Sequence, residues 1–470
     1  MPTMATHLPP AEDLASPMAP RGKGWLRLTA VVATVLSAWL IAAEVGFVFI
    51  KDDPPPWNLD LRVWLRPVPS ERNGCRFIDI AAAKLLLPPK GPDRDRMSAI
   101  ERGDEWDEAF VTGILQQNQK AAALYDQAMA MPDFGMESLP LNPLALHKHV
   151  RPWFELGHLG DLRCLLFYRT GHREEAIAEA MKMVEFGRRI EDAGGDTATS
   201  GAGWILMEEG LAMLLYVTLS SPIAPGQLER LVQELADCEV SPGILADAAR
   251  TQYGMACRVI DVMAYGNLKG AVEPAETKRY QGPASLYTFL PNRTKNMLAQ
   301  ACRACIDTAS QTYAESRPMQ ELYTAERDSC EKDAPVLWGI PSRNWAGREV
   351  FIGLAPAIDL LAEAKCQTNV MVRGTRLLLA IRCFEMARQR LPERLEELVP
   401  EYLDLVPLDD FDGRALRWSK EKRIVYSVGA NLVDDGGDET KIDRYGHRDI
   451  VLHLDQHYPK KPAQDPSEKK

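Results

Sequence analysis

The chain has 470 residues, of which 46% are hydrophobic and 26% charged, as in ordinary globular proteins. A chain of this length forms about two or three domains with one sizeable core. Its net charge is -11, and no long basic stripe occurs, so the composition argues against nucleic acid as the main partner.

The first predicted element is a membrane anchor. Residues 28–50, LTAVVATVLSAWLIAAEVGFVFI, are apolar apart from Glu44, and a bilayer-spanning helix needs about 20 such residues. Basic residues precede this run and aspartates follow it, so the positive-inside rule predicts a cytoplasmic N-terminus and an extracytoplasmic remainder. Glu44 is close enough to the outer end to reach the interface. The alternative is a cleaved signal peptide, whose apolar core is usually only about 7–15 residues long.

The body that follows is predicted to be helical, because apolar residues recur at helical spacing along most of it. Predicted helices cover 77–87, 105–131, 225–237, 243–265, 293–315, 354–366 and 374–390. Residues 203–219 are apolar nearly all round and predict a buried core helix rather than a second span. Residues 315–350 combine proline with charge and predict loops.

One part of the body suggests a helical hairpin. From residue 144 to 195, two apolar-striped stretches are joined by RTGHREEA, with alanines at close-packing positions after the glycine. This pattern resembles a tetratricopeptide-type hairpin, although no repeat period is present.

The C-terminal part changes in character. ALRWS, RIVYSV and DIVLHL have the composition of three short strands, and Asp412-Gly413 is a turn signal between extended segments. The fold class is therefore mainly α, with an N-terminal transmembrane helix, a tetratricopeptide-like α-hairpin body and a small C-terminal antiparallel β-module. The predicted parts are a disordered cytoplasmic tail (1–24), the anchor (25–50), a helical ectodomain (51–372), a C-terminal helix with the β-module (373–456) and a disordered tail (457–470).

Four patterns in the body have weak signals for chemistry. His147 and His149 would point about 200° apart on a helix and could not share a metal ion, and His158 lies further along. Cys302 and Cys305 form C-x-x-C inside a helical stretch without a neighbouring strand, which favours buried structural thiols. GGDTATSGAGW, residues 194–204, lacks phosphate-loop spacing and is interpreted as a linker. Glu208 and Glu209 diverge by about 100° on a helix and cannot form a catalytic carboxylate pair.

The strongest candidate for a metal site is the acidic turn in IVYSVGANLVDDGGDE, residues 424–439. Asn431, Asp434, Asp435 and Asp438 offer hard oxygen ligands of the kind that Ca²⁺ prefers, although the spacing is not that of an EF-hand. The alternative is a solvated turn without a metal.

Residues 374–454 resemble the C-terminal part of type II secretion major pseudopilins. The matching pieces are an amphipathic helix, LPERLEELVPEYLDLVP in the place of the family's connector, DDFDGRALRW and YSVGANLVDDGGDE. In that family a similar turn and a later aspartate bind Ca²⁺. The resemblance implies that Ser427 to Ala430 form the lead-in, that Asn431 replaces the first aspartate, and that Asp438 is the nearest match to the later one.

The N-terminus departs from that family, because Gly46-Phe47 closes the apolar run instead of preceding it. Pseudopilin-like processing and fibre assembly are therefore not expected. The full chain is more similar to a bacterial group with an N-terminal anchor, a helical ectodomain and this kind of C-terminal segment, and that resemblance implies no activity.

The sequence thus predicts a single-pass inner (plasma) membrane protein that binds a protein partner or acts as a scaffold, with Ca²⁺ as the one candidate cofactor. The alternatives are an extracytoplasmic enzyme whose site forms only in the fold and a secretion-system subunit. A concave pocket with two or more buried ionisable side chains would favour the enzyme.

Overall fold

The computed structural model describes residues 31–39, 52–63, 68–136, 146–220, 223–265, 288–332, 343–443 and 446–455. It contains two compact units, Met1–Asp53 and Pro54–Lys470. In the first unit, residues 31–39 are helical and their side chains are exposed. The rest of the predicted anchor, including Glu44, lies outside the described residues.

The described part of the second unit consists mainly of helices. They are α1 (Gly74–Ala82), α2 (Pro92–Glu101), α3 (Glu108–Gln117), α4 (Gln119–Met129), α5 (Leu146–Arg169), α6 (Arg173–Asp192), α7 (Thr197–Leu219), α8 (Pro225–Glu234), α9 (Pro242–Tyr265), α10 (Pro291–Thr308), α11 (Tyr313–Lys332), α12 (Trp345–Leu354) and α13 (Ile358–Arg388). Short 3-10 turns occupy Leu59–Leu61, Leu235–Cys238 and Leu395–Leu398. The α5–α6 pair has the predicted connection, but these helices do not establish a tetratricopeptide-type repeat.

Helix α7 lies at the centre of the helical body and packs against α5, α6, α9 and α13. It is apolar nearly all round, apart from Glu208 and Glu209, and Trp204, Leu211 and Leu214 are almost fully buried. Among the described helices it alone is long and apolar enough to cross a membrane, yet 72% of its apolar window is buried inside the protein. The prediction of a buried core helix is confirmed.

The linker predicted at residues 194–204 is wrong, because α7 already begins at Thr197. Asp196 caps the helix by accepting a hydrogen bond from the backbone N–H of Thr199 at 3.0 Å. Aspartate is a favoured residue at this position, since its side chain replaces a missing partner of the first helical turn. Of the glycines that suggested a loop, Gly203 lies inside the helix as a close packing position.

Helices α6 and α7 approach closely through three glycines. A Cβ atom on Gly203 would lie 2.6 Å from the carbonyl oxygen of Gly187, and one on Gly210 would lie 2.6 Å from the backbone nitrogen of Val184. A Cβ on Gly187 would overlap the backbone of α7 in the same way. Each obstacle is backbone and cannot rotate away, so the spacing of the two helices requires glycine.

Two further helix predictions need correction. Residues 315–350 were expected to be loops, but α11 runs through much of this range even though it contains Pro318. Its first N–H groups are satisfied from elsewhere, because Tyr313 and Ala314 donate to the carbonyl oxygens of Asp410 and Phe411, each at 2.9 Å. These tertiary hydrogen bonds add to a local cap, in which Glu315 accepts from the Thr312 N–H at 3.0 Å and Thr312 Oγ1 accepts from the Glu315 N–H at 3.3 Å.

The two helices predicted at 354–366 and 374–390 are one continuous helix, α13. Gly374 suggested a helix start, but it lies in the middle of α13 and packs against strand residue Leu452. A Cβ at position 374 would lie 2.8 Å from the side chain of Leu452. The glycine makes room for the β-module rather than breaking the helix.

The three predicted strands are confirmed as an antiparallel sheet in the order β1-β2-β3. They are β1 (Arg417–Ser419), β2 (Ile424–Ser427) and β3 (Ile450–His453), and Val425 of β2 pairs with both Trp418 and Leu452. The Asp412-Gly413 turn is also present, with Gly413 at φ 75°. Val425 and Leu452 belong to the same apolar core as α7 and α13. The domain boundary predicted after residue 372 falls inside α13.

One face of α13 holds the segment before β1 through Asp410. Asn369 Nδ2 and Arg373 Nη1 each donate to the Asp410 carboxylate at 2.7 Å, and Lys365 Nζ lies 3.7 Å from it. These three residues are spaced four apart and therefore share one helix face. Helix α13 thus ties the helical body to the β-module.

The neighbouring Asp409 organises the β-module itself, and its side chain is fully buried. Its carboxylate accepts hydrogen bonds from Ser427 Oγ at 2.8 Å, from the Val428 N–H at 3.1 Å and from Arg417 Nη1 at 2.6 Å. It thereby joins the segment before β1 to β1 and to the end of β2. The lead-in to the acidic turn depends on this carboxylate.

The glycine contact predicts opposite effects for substitutions in one helix. Gly203→Ala and Gly210→Ala should each lower the free energy of unfolding by about 1–3 kcal/mol, because the added methyl group meets backbone. Gly201→Ala is the matched control, since nothing lies within 4 Å of its Cβ position. This control should raise stability by about 0.5–1 kcal/mol through helix propensity. Denaturant unfolding measures both effects, and a Gly203→Ala variant as stable as Gly201→Ala would contradict the close contact.

The buried carboxylate gives a second prediction. Asp409→Asn should lower the free energy of unfolding by about 1–3 kcal/mol, because the buried hydrogen bonds to this carboxylate are disrupted while Arg417 keeps its ion pair with Asp412. Asp404→Asn replaces an exposed aspartate in the same segment and should change stability by less than about 0.5 kcal/mol. Equal unfolding midpoints for the two variants would show that Asp409 has no such role.

Candidate functional site

The predicted calcium ligands lie on the long connection between β2 and β3, and their side chains first of all shape that loop. Asn431, Asp434 and Asp438 each accept a hydrogen bond at 3.0 Å from the backbone N–H two residues further on. Asparagine and aspartate commonly stabilise turns in this way. Thr440 also donates its hydroxyl to Asp438, and these bonds lower the pKa of that carboxyl.

Two of the carboxylates also have cationic neighbours. Asp435 lies 3.4 Å from Lys441 Nζ, and Asp434 lies 3.6 Å from Arg417 Nε. Among the described residues, the aspartates of this loop do not bring three ligand atoms within 4.8 Å of one another. The calcium site therefore stays a prediction, and the observed role of these side chains is to fix the loop.

The same loop forms one wall of a cleft of about 1080 Å³. The opposite walls are one face of α11 and the first turns of α13. The lining residues are Tyr313, Arg317, Gln320, Glu321, Thr324, Ala325, Asp328, Asp359, Leu360, Glu363, Ala430, Asn431, Val433, Asp435, Thr440, Lys441, Ile442, Asp443 and His447. We call this feature the C-terminal cleft.

His447 connects the loop wall of the cleft to α13. Its Nε2 lies 3.6 Å from Glu363 Oε2, and its Nδ1 lies 3.4 Å from Asp443 Oδ2. All three side chains are 29–30% exposed. Burial raises the pKa of Glu363, and the charges of Asp359 and Asp443 act in the same direction, whereas His447 opposes them.

The lining is acidic and partly apolar. It contains six carboxylates against two basic side chains, Arg317 and Lys441. Both cations already have carboxylate neighbours, because Arg317 Nε lies 3.0 Å from Glu321 and Lys441 lies beside Asp435. Leu360, Val433 and Ile442 are 64%, 53% and 53% exposed at the cleft. A cationic ligand with apolar groups matches this surface.

Sequence reasoning identified the loop wall of the cleft but missed the helical one. Asp359 and Glu363 lie four residues apart, so they carry like charges on one face of α13. Such a pair of like charges destabilises an isolated helix, so it was the sequence feature that could have pointed to the helical wall of the cleft. Nothing in the sequence placed His447 beside them, since that proximity comes from the docking of the β-module.

The structure shows where the other candidate residues named from the sequence lie. His147 and His149 lie in α5, and their side chains are outside the described part of the chain. His158, also in α5, lies beside Glu101 and Asp161. Glu208 and Glu209 diverge as predicted, because Glu208 accepts hydrogen bonds from α13 while Glu209 faces α5.

The prediction of structural thiols is confirmed for Cys302 and Cys305. Both are free and buried in the interior of α10, and burial raises the pKa of the Cys305 thiol to about 12. The same cause raises the pKa of Cys302. Since the thiolate is the reactive form, these residues behave as small apolar side chains.

Comparison with known proteins found no matching family model, no similar curated protein and no similar solved structure.

The calcium hypothesis predicts a change in thermal stability. If Asn431, Asp434, Asp435 and Asp438 bind Ca²⁺ in the folded state, saturating Ca²⁺ should raise the melting temperature of the full-length chain by mass action. An Asp435→Asn/Asp438→Asn variant should lose that increase, and Mg²⁺ at the same ionic strength controls for screening. Identical melting curves with Ca²⁺ and with a calcium-selective chelator would contradict the hypothesis.

Proposed function

We propose that this chain is a membrane-anchored, extracytoplasmic scaffold that binds a basic, partly apolar segment of a partner protein in the C-terminal cleft. The observation that carries the proposal is the composition of that cleft: an excess of carboxylates around exposed Leu360, Val433 and Ile442. Peptide recognition commonly combines apolar pockets with complementary charge.

The location is part of the proposal and is supported by the sequence. The apolar run at 28–50 has the length of a spanning helix, and basic residues precede it. The helical state of residues 31–39 and their exposed apolar side chains agree with a segment that lipid would cover. The extracytoplasmic part would then begin near residue 51.

An extracytoplasmic setting is compatible with the free thiols of the compact unit. Seven of the nine cysteines are buried and two are partly buried. Oxidation requires an accessible thiolate, and burial disfavours that form. The seven buried cysteines would therefore persist without disulfides in an oxidising compartment.

The pseudopilin-like segment has a structural role in this proposal. Its strands cover Gly374 on α13, and its loop supplies Asn431, Asp435 and His447 to the cleft. In this arrangement the module closes the C-terminal side of the helical body and forms half of the binding surface. This role needs neither processing nor fibre assembly.

The enzymatic alternative has one observation in its favour, the raised pKa of Glu363 beside His447. A carboxyl with a raised pKa at a concave site suits general acid–base chemistry. The cleft meets the expected criterion only in part, however, because Glu363, His447 and Asp443 are each about one-third exposed. Its described lining also includes no serine or cysteine that could act as a nucleophile. Binding is therefore the better-supported function.

A charge-matched pair of peptides tests the binding proposal. A fluorescent peptide of lysines and leucines should bind the purified full-length chain, whereas the same peptide with glutamate in place of lysine should not. Binding should weaken as salt increases, because the attraction is between exposed charges. Asp359→Asn/Glu363→Gln should raise the dissociation constant about three- to ten-fold, as expected when two surface ion pairs are lost.

The matched control removes two carboxylates elsewhere. Glu174 and Glu175 are exposed at the start of α6 and lie outside the cleft lining. Glu174→Gln/Glu175→Gln changes the net charge by the same amount and should leave the dissociation constant unchanged. Equal weakening by both double variants would mean that the peptide senses net charge only, and the cleft would not be the binding site.

A further inference from the structure

A second cluster of ionisable side chains lies away from the residues that line the cleft. Glu101 is the last residue of α2, and His158 and Asp161 lie on α5. Each of the three offers one ligand atom, and these atoms lie within 4.8 Å of one another. Because residues three apart on a helix are neighbours, His158 and Asp161 face the end of α2 together.

We propose that Glu101, His158 and Asp161 bind a divalent transition-metal ion that fastens α2 to α5. The carboxylate oxygen Oε1 of Glu101 lies 3.0 Å from His158 Nδ1. Two ligand atoms that each bind zinc at about 2.0–2.2 Å are separated by about 3.0–3.5 Å. The imidazole and this carboxylate therefore already have the spacing of adjacent ligands, and a carboxylate oxygen of Asp161 lies within 4.8 Å of both.

The surroundings of Glu101 provide an independent reason for a cation. Its side chain is only 4% exposed, and Oε1 accepts no hydrogen bond from the described residues despite its closeness to His158. A buried carboxylate oxygen without a hydrogen bond is costly, and a bound cation removes that cost. Arg94, on the same helix, does not fill this place in the described structure, since it forms an ion pair with Glu155 at 2.7 Å.

The helix geometry favours positive charge at the same point. Glu101 ends α2, where the helix dipole places partial negative charge, although the carbonyl groups of Ser98, Ala99 and Ile100 already accept backbone hydrogen bonds. An ion bound by Glu101 lies next to this helix end and is stabilised by it. Of the two ligands in this contact, His158 is the more exposed, with 21% of its side chain accessible.

The donor set limits the identity of the metal. One imidazole nitrogen with two carboxylate oxygens and no thiolate suits zinc or manganese. Ca²⁺ is disfavoured, because it takes six to eight oxygen ligands. With three protein ligands, water would complete the coordination sphere. The predicted role is structural, since the ligands connect two helices of the body.

Metal titration of the purified, chelator-stripped full-length chain without an affinity tag tests the site. The wild-type chain should bind one more equivalent of zinc than each of three variants, Glu101→Gln, His158→Asn and Asp161→Asn. Each substitution should weaken zinc binding at this site at least about ten-fold, because even indirect partners of a metal site contribute that much. His453→Asn is the control, since this histidine is 46% exposed beside a single carboxylate, and zinc binding should be retained.

A second measurement separates the metal from a simple His158–Glu101 salt bridge. Zinc should raise the melting temperature of the wild-type chain but not that of Glu101→Gln, and Co²⁺ should give a visible absorption band that is lost in His158→Asn. The proposal is overturned if the folded wild-type chain takes up no more zinc than Glu101→Gln. It is also overturned if Glu101→Gln lowers the melting temperature equally with and without zinc. If a variant does not fold, the zinc titration of the wild-type chain alone tests the proposed metal site.

Discussion

The C-terminal half of the compact unit depends on the carboxylates of Asp409 and Asp410. Asp410 accepts hydrogen bonds from Asn369 and Arg373 on α13, and Asp409 accepts them from β1 and from the end of β2. The two neighbouring side chains have different partners, so one carboxylate serves the helix and the other serves the sheet. This pair adds polar contacts to the apolar packing of Val425 and Leu452 against the helical body, and a small sheet needs such support because it is marginal by itself.

The cleft is a consequence of that attachment. Its helical wall comes from α11 and α13, and its loop wall comes from the connection between β2 and β3. Helix α11 is itself oriented by backbone hydrogen bonds from its first turn to the carbonyl groups of Asp410 and Phe411. The same short segment therefore positions both walls, and a change in its hydrogen bonds would alter the surface that we propose for a partner.

The helical body is held together in a different way, by close approach of helix backbones at glycine residues. Glycines at 187, 203 and 210 bring the backbones of α6 and α7 together, and Trp204 and Leu211 of α7 then fill the core around the contact. This places α7 at the centre of the body, with α5 against it. The proposed metal ligands on α5 lie on a helix that this packing holds in place, which is the rigid support that a metal site needs.

Local sequence patterns were sufficient to predict several features of the structure. The apolar circumference of α7 predicted a buried helix, and alternating strands with Asp-Gly turns predicted the β-module, because both signals reside in neighbouring residues. The C-x-x-C inside a helical stretch correctly indicated buried thiols. The sequence also contains the composition of a membrane anchor and of an acidic turn, whose roles remain predictions.

Other features were decided only by tertiary structure. Glycine and proline indicate breaks when only local propensity is considered, so the start of α7, the length of α13 and the existence of α11 were predicted wrongly. Two of these involve partners distant in sequence, since Gly374 of α13 packs against Leu452 on β3 and the first turn of α11 donates to the Asp410 carbonyl, whereas α7 begins at its local Asp196 cap. The meeting of Glu363 with His447, and of Glu101 with His158, has the same origin. Packing determines which side chains meet across the fold. Residue spacing along the chain predicts only the contacts within a turn or two of helix.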